Sequence, residues 1–128
     1  MLSKRVFGNY SEKRAKALEN TIAECADGVD VCINVYRKHR TSDDIGGMIG
    51  DLARIVAYKW QAGLARQEIE LLAGWPEHKA KADQVRDLRE NGRTGVESQA
   101  IAKLSAEYWK RCPRGDKLPH EVLGIDLK

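Results

Sequence analysis

Glycine and proline cut this chain into stretches of helical length, and between the cuts the apolar residues recur at helical spacing. The cuts are Gly28, Gly63, Gly74, Pro76, Gly92 and Pro113. Glycine tolerates the left-handed residue that closes a helix, and proline cannot continue one. The punctuation predicts helices over about residues 11–26, 43–61, 65–73, 76–91 and 95–111. Ser11 can cap the first, whose apolar face is Ala15, Leu18, Ile22 and Cys25. Thr41, Ser42 and Asp43 can cap the second, and Pro76 suits the first position of the fourth. Thr94-Gly95-Val96-Glu97 reads as a capping box for the fifth. The tail, residues 113–128, has no sustained period and is expected to pack as an extended or short helical segment.

Residues 29–36 are ambiguous. Val29, Val31, Ile33 and Val35 alternate with Asp30, Cys32, Asn34 and Tyr36, which is a strand pattern of β-branched residues. As a helix, Val29, Cys32, Ile33 and Tyr36 also share a face. No second strand is in view to pair with, and an unpaired strand leaves backbone groups without partners. The expected fold is an all-α single bundle of about five helices over residues 1–128, with 29–36 helix or a short strand.

At 128 residues the chain is one ordinary domain, and 42% hydrophobic with 32% charged residues is a soluble globular balance. No apolar run approaches the roughly 18 residues that span a bilayer, so no membrane partner is expected. The first residues, MLSKRVFGNYSEKR, show no apolar leader segment. Three cysteines form no disulfide framework, and an odd count suits a reducing compartment. The expected location is cytoplasmic.

The segment 43–61 carries the most information. Ile45, Met48, Ile49, Leu52, Ile55 and Val56 form a broad apolar face. Gly46, Gly50, Ala53 and Ala57 form a stripe of small residues beside it. Each glycine costs about 0.8–1 kcal/mol of helix propensity, so the stripe is expected to be closely packed. A neighbouring helix, a homodimer seam or a docked protein partner would each satisfy it. Gly50→Leu should then overpack it.

Catalytic and metal signals are weak. His39, His78 and His120 are scattered, and no Cys-x-x-Cys pair exists. Cys32 and His39 lie seven residues apart, about 10 Å along a helix, too far for a thiolate and its base. Gly46-Gly47 and Gly50 lack the lysine-serine ending of a phosphate loop. No enzyme activity and no cofactor are expected.

Basic residues are unevenly placed against a net charge of only +3. Lys4, Arg5, Lys13, Arg14 and Lys16 crowd the first segment, and Arg37, Lys38 and Arg40 surround His39. Arg86, Arg89 and Arg93 share a helical face with Lys79, and Lys103 and Lys110 share another with Arg114. Such faces could track phosphates. Residues 58–73, YKWQAGLARQEIELLA, loosely resemble a helix-turn-helix core. Gly63 would be its turn, and Arg66 and Gln67 would open the recognition helix. Lys59, where a small residue is usual, and the acidic Glu68 and Glu70 depart from that pattern. Residues 29–35 followed by two helices loosely resemble ribbon-helix-helix, although Asp30, Cys32 and Asn34 are not basic.

Trp109 lies opposite the Ile101, Leu104, Tyr108 and Cys112 face of its helix, as a buried wedge or an exposed anchor for a protein partner. Trp60 and Trp75 are expected to wedge the third helix onto the core. The expected function is a small non-catalytic regulatory or accessory protein that binds nucleic acid or a nucleoprotein through basic helical faces. The alternative is a protein–protein module, an inhibitor or assembly subunit.

Overall fold

Three of the expected glycine cuts do not interrupt a helix. The computed structural model describes residues 2–127, with side chains from residue 10 onward, as an all-α bundle without strands among those residues. Three long helices are α1 (Leu2–Thr41), α2 (Ile45–Leu72) and α3 (Lys79–Arg111), and a short one is α4 (Pro119–Leu123). The expected five helices are thus merged into three.

The merging has a packing cause. Along α1 the row Leu18, Ile22, Cys25, Val29, Cys32 and Tyr36 continues at helical spacing straight through Gly28. Interrupting it would split one apolar seam into two. The ambiguous segment 29–36 is therefore helical: Cys32, Ile33 and Tyr36 are buried, while Val31 is 60% exposed. A strand would have put Val31 on the same face as Ile33. Gly63 and Gly95 are likewise interior to helices, with no neighbouring atom near the place of a Cβ. Thr94 and Glu97 lie inside α3 and cap nothing.

Real turns fall where polar or rigid residues cluster. Between α1 and α2, Asp43 adopts a left-handed φ of 53°. Asp44 caps α2 by accepting from the Gly47 N–H at 2.9 Å. The expected caps lay up to three residues earlier. Between α2 and α3 the break at Gly74 and Pro76 holds, but α3 starts only at Lys79. Beyond Pro113 the tail makes α4, with Pro119 in its first turn and Gly124 closing it at φ 68°.

α2 is the axis of the assembly. α1 and α3 each pack along it, and α4 rests on α2 and α3. Backbones of α1 and α3 do not pack against each other. The core has a part at each end. Near the α1–α2 turn, Cys32, Ile33, Tyr36, Met48, Leu52 and Ile55 are covered by the tail residues Leu118, Leu123, Ile125 and Leu127. Toward the other end Leu18 meets Ala65 and Leu72. The Tyr36 hydroxyl shares a hydrogen bond with His120 Nδ1 at 2.8 Å and accepts from the His120 N–H at 3.1 Å, which fastens the tail to α1.

Candidate interaction surface

Of the arginines expected to form a basic face on α3, Arg89 and Arg93 face α2, while Arg86 stays at the surface beside Glu90 of its own helix. Arg89 is 6% exposed, with Nη2 3.4 Å from the buried Glu68 carboxylate. Arg93 lies over the Tyr58 ring, 4.3 Å from its centroid, and donates to the Tyr58 hydroxyl at 3.4 Å. Arg86 pairs with Glu90 at 3.3 Å, and Lys79 with Asp83 at 2.9 Å. A buried or neutralised guanidinium cannot release counterions from a phosphate backbone, so no continuous basic face is formed here. Lys103 and Lys110 are exposed. So are Arg37, Lys38 and Arg40 at the end of α1, where Arg37 reaches only the Asn34 side chain, at 3.5 Å. Lys4 and Arg5 fall outside the residues whose side chains are described.

The helix-turn-helix geometry is not formed. α2 runs unbroken through Gly63, so Arg66 and Gln67 sit mid-helix, exposed, and open no recognition helix. The ribbon-helix-helix arrangement lacks its strand, because residues 29–35 are helical.

Two polar seams join the helices on the side where α1 and α3 approach each other. Glu68, 2% exposed, accepts from Arg14 Nε at 3.0 Å and from Arg89. Farther along, the Asp51 carboxylate is wholly buried. It accepts from His39 Nδ1 at 2.7 Å and from Arg54 at 3.1 Å, and Arg54 also pairs with Glu97 at 3.3 Å. The seams bind three helices into one body. Neither Asp51 nor Glu68 was singled out from the sequence as a core residue. The available signal was position: Glu68 lies four residues from both Leu64 and Leu72, and Asp51 lies between Met48 and Ile55 on the buried side.

The opposite side of the α1–α2 pair is different. The tail covers it only near the turn. Beyond that a groove of about 490 Å³ is lined by Ile22, Cys25, Ala26, Val29 and Asp30 of α1 and by Tyr58, Lys59, Ala62 and Arg66 of α2. A further section of about 250 Å³ continues along the same helices, between Ser11, Glu12 and Ala15 and Ile69, Leu72 and Ala73. Leu18, Ala65 and Leu72 are buried beneath the stretch between the two sections, with the half-buried Ala15, Ile22 and Ile69 packed against them. The contrast runs along one row of α1. Ile33, beneath the tail, is 7% exposed, while Ala26, seven residues earlier on that row, is exposed.

The stripe of small residues on α2 is split. Ala53 and Ala57 are buried, but Gly46 is exposed and a Cβ at Gly50 would meet nothing within 4 Å. Gly50 is therefore not a close-packing position, and a side chain there has open space. The close approaches are at Gly28, beneath Tyr58, and Gly92, beneath the Trp60 ring. The expected third helix, residues 65–73, is part of α2, so the two tryptophans bracket no separate helix: Trp60 meets Gly92 of α3, and Trp75 packs at the Leu18 cluster with the Tyr10 ring tilted against it at 4.8 Å. Trp109 is 46% exposed, edge-on to Tyr108.

Cys25, Cys32 and Cys112 are free and buried. Burial pushes the Cys25 and Cys32 thiols above their ordinary value, and the Cys25 thiol donates to Gln61 at 3.6 Å, so no base faces it. Among the described residues no cluster of three metal-ligating side chains forms, and no helix is long and apolar enough to cross a membrane. Compared with known proteins, the chain matches no family model, no curated protein and no solved structure.

Proposed function

We propose that this chain is a non-catalytic protein-binding module, an accessory or assembly subunit of the cytoplasm that acts by docking. The observation that carries this reading is the open groove between α1 and α2, apolar at its floor and uncovered beyond the tail. The half-buried Ala15, Ile22, Val29 and Ile69 beside the exposed Ala26 leave an open apolar channel between two long helices, the shape that an added helix fills. The engagement of Arg86, Arg89 and Arg93 with Glu90, Glu68 and Tyr58 favours a protein over a nucleic-acid partner.

Nucleic acid is the second reading, and it rests on the exposed Arg37, Lys38 and Arg40 at the end of α1. One experiment separates the two. A photo-crosslinking residue is placed at Ala26 in the groove or at Lys38 on the basic end, in the native cell. Adducts at Ala26 are expected to be polypeptide. The identified partner, mixed pure with the chain, should bind it and should fail to bind Ala26→Glu of unchanged melting temperature. Nuclease-sensitive adducts at Lys38, with none at Ala26, would favour nucleic acid and remove the protein-docking reading.

A further inference from the structure

The walls of the groove have opposite charge. On the α1 side stand Glu12 and Asp30, which line its two sections, with the exposed Glu19 seven residues after Glu12 on the same row. On the α2 side stand Lys59 and Arg66, also seven residues apart. Glu19, like Lys16 and Glu70, is exposed and lines neither section, so the charges that line the groove itself are Glu12, Asp30, Lys59 and Arg66. Elsewhere the bundle pairs many of its charges, as Arg14 with Glu68 and Arg54 with Asp51 and Glu97. Among the described residues, Glu12, Glu19, Asp30, Lys59 and Arg66 make no ion pair.

The chain also shows how this surface is filled. Near the turn, its own tail lays Leu118, Leu123, Ile125 and Leu127 onto the α1–α2 pair and buries Ile33 and Leu52 beneath them. The uncovered stretch, level with residues 11–30 of α1, is about 30 Å long, the length of a helix of about 20 residues. An unpaired acidic wall and an unpaired basic wall flanking an apolar floor match one kind of occupant.

We propose that the groove takes an amphipathic helix of a partner protein, of about 20 residues, with a basic edge and an acidic edge on either side of its apolar stripe. The basic edge lies along Glu12 and Asp30, and the acidic edge along Lys59 and Arg66. The tail forms the end stop. This inference rests on the protein-docking reading and names its partner's chemistry.

Three synthetic helical peptides of about 20 residues test it. All share one leucine-alanine stripe, and their edges are lysine with glutamate, both lysine, or both glutamate. The full chain should bind the mixed-edge peptide best, by about tenfold over either single-sign peptide. In Lys59→Glu/Arg66→Glu both walls are acidic, and preference should pass to the lysine-edged peptide. Ala26→Glu should bind none of them while keeping its melting temperature. Equal binding of all three peptides, or a preference unmoved by the double reversal, would overturn the proposal. A free chain that sediments as a dimer and becomes monomeric in Ala26→Glu would overturn it too, with a second copy as occupant. If the peptides fail but a crosslinked partner still binds through Ala26, the helix assignment falls and the protein-docking reading stands.

Discussion

Gly28 of α1 lies directly beneath the ring of Tyr58 of α2, so that a Cβ at residue 28 would stand 2.6 Å from Cζ. No ordinary contact is that short, so one of the two must move. Arg93 holds Tyr58 in place, stacking over its ring and donating to its hydroxyl. Gly28 therefore marks a close approach of two helices within an unbroken α1.

Gly28→Ala tests this through a change of sign. Alanine contributes about 1 kcal/mol of helix propensity, and overpacking costs about 1–3 kcal/mol. A net loss of about 1 kcal/mol is expected by urea denaturation. With Tyr58→Ala in the background the same substitution should stabilise. Stabilisation in both backgrounds would show that Tyr58 yields freely.

Gly50 and Gly95 supply the converse case. Neither has an atom within 4 Å of the place of a Cβ, and both are interior to helices. Each substitution to alanine is expected to raise stability by about 0.5–1 kcal/mol. Melting curves of the two variants check it, and a lowered melting temperature for Gly50→Ala would return that residue to a packed surface.

Glu68 holds two cations in place. Glu68→Leu would leave Arg14 and the buried Arg89 with only the half-exposed Glu90 carboxylate, 4.0 and 3.7 Å away, at a cost of about 3 kcal/mol. The triple variant Arg14→Met/Glu68→Leu/Arg89→Met removes the charges together and should recover most of that loss, since an apolar replacement of a buried ionic cluster is often close to neutral. A triple variant as unstable as the single one would show that the cluster stabilises the fold beyond mutual neutralisation.

Tyr108 governs part of the alkaline limit. Burial, reinforced by the Cys112 thiol, pushes its phenol from 10.0 up to about 12. The folded state thus favours the neutral form. Its contribution is whole below pH 10 and is lost as pH rises toward 12. The raised thiols of Cys25 and Cys32 act in the same direction, from their ordinary value of 9.0 upward. Tyr108→Phe loses the hydrogen bond to the Lys117 carbonyl and should cost about 0.5–1.5 kcal/mol at neutral pH. Its stability should then fall less steeply with rising pH than that of the unaltered chain. Parallel curves for the two would remove Tyr108 from the alkaline transition.

How much of the candidate surface was legible is clearest at α3. Arg86, Arg89 and Arg93 do share one helical face, as their spacing of three and four requires. A spacing states which side chains travel together and not what they meet. The carboxylate that draws Arg89 inward is Glu68, twenty-one residues away on another helix. The groove is hidden for the same reason. Ala15, Ile22, Ala62 and Ile69 read as core residues of their own helices, and only the extent of the tail leaves their neighbourhood uncovered.

The amino-acid pattern by itself determined that the chain is helical and that it turns near residues 41–44 and 74–76. These follow from apolar periodicity and local backbone chemistry, which act within a few residues. Tertiary structure alone decided that Gly28 and Gly92 are contact points, that residues 29–36 extend α1, and that Arg89 and Arg93 of α3 turn toward α2. The contact glycines and the inward arginines depend on a ring or a carboxylate of a neighbouring helix, and the extension of α1 depends on the apolar seam that it shares with α2. A helix passes through an interior glycine at a cost of about 1 kcal/mol, and the burial of a single large apolar side chain offsets that.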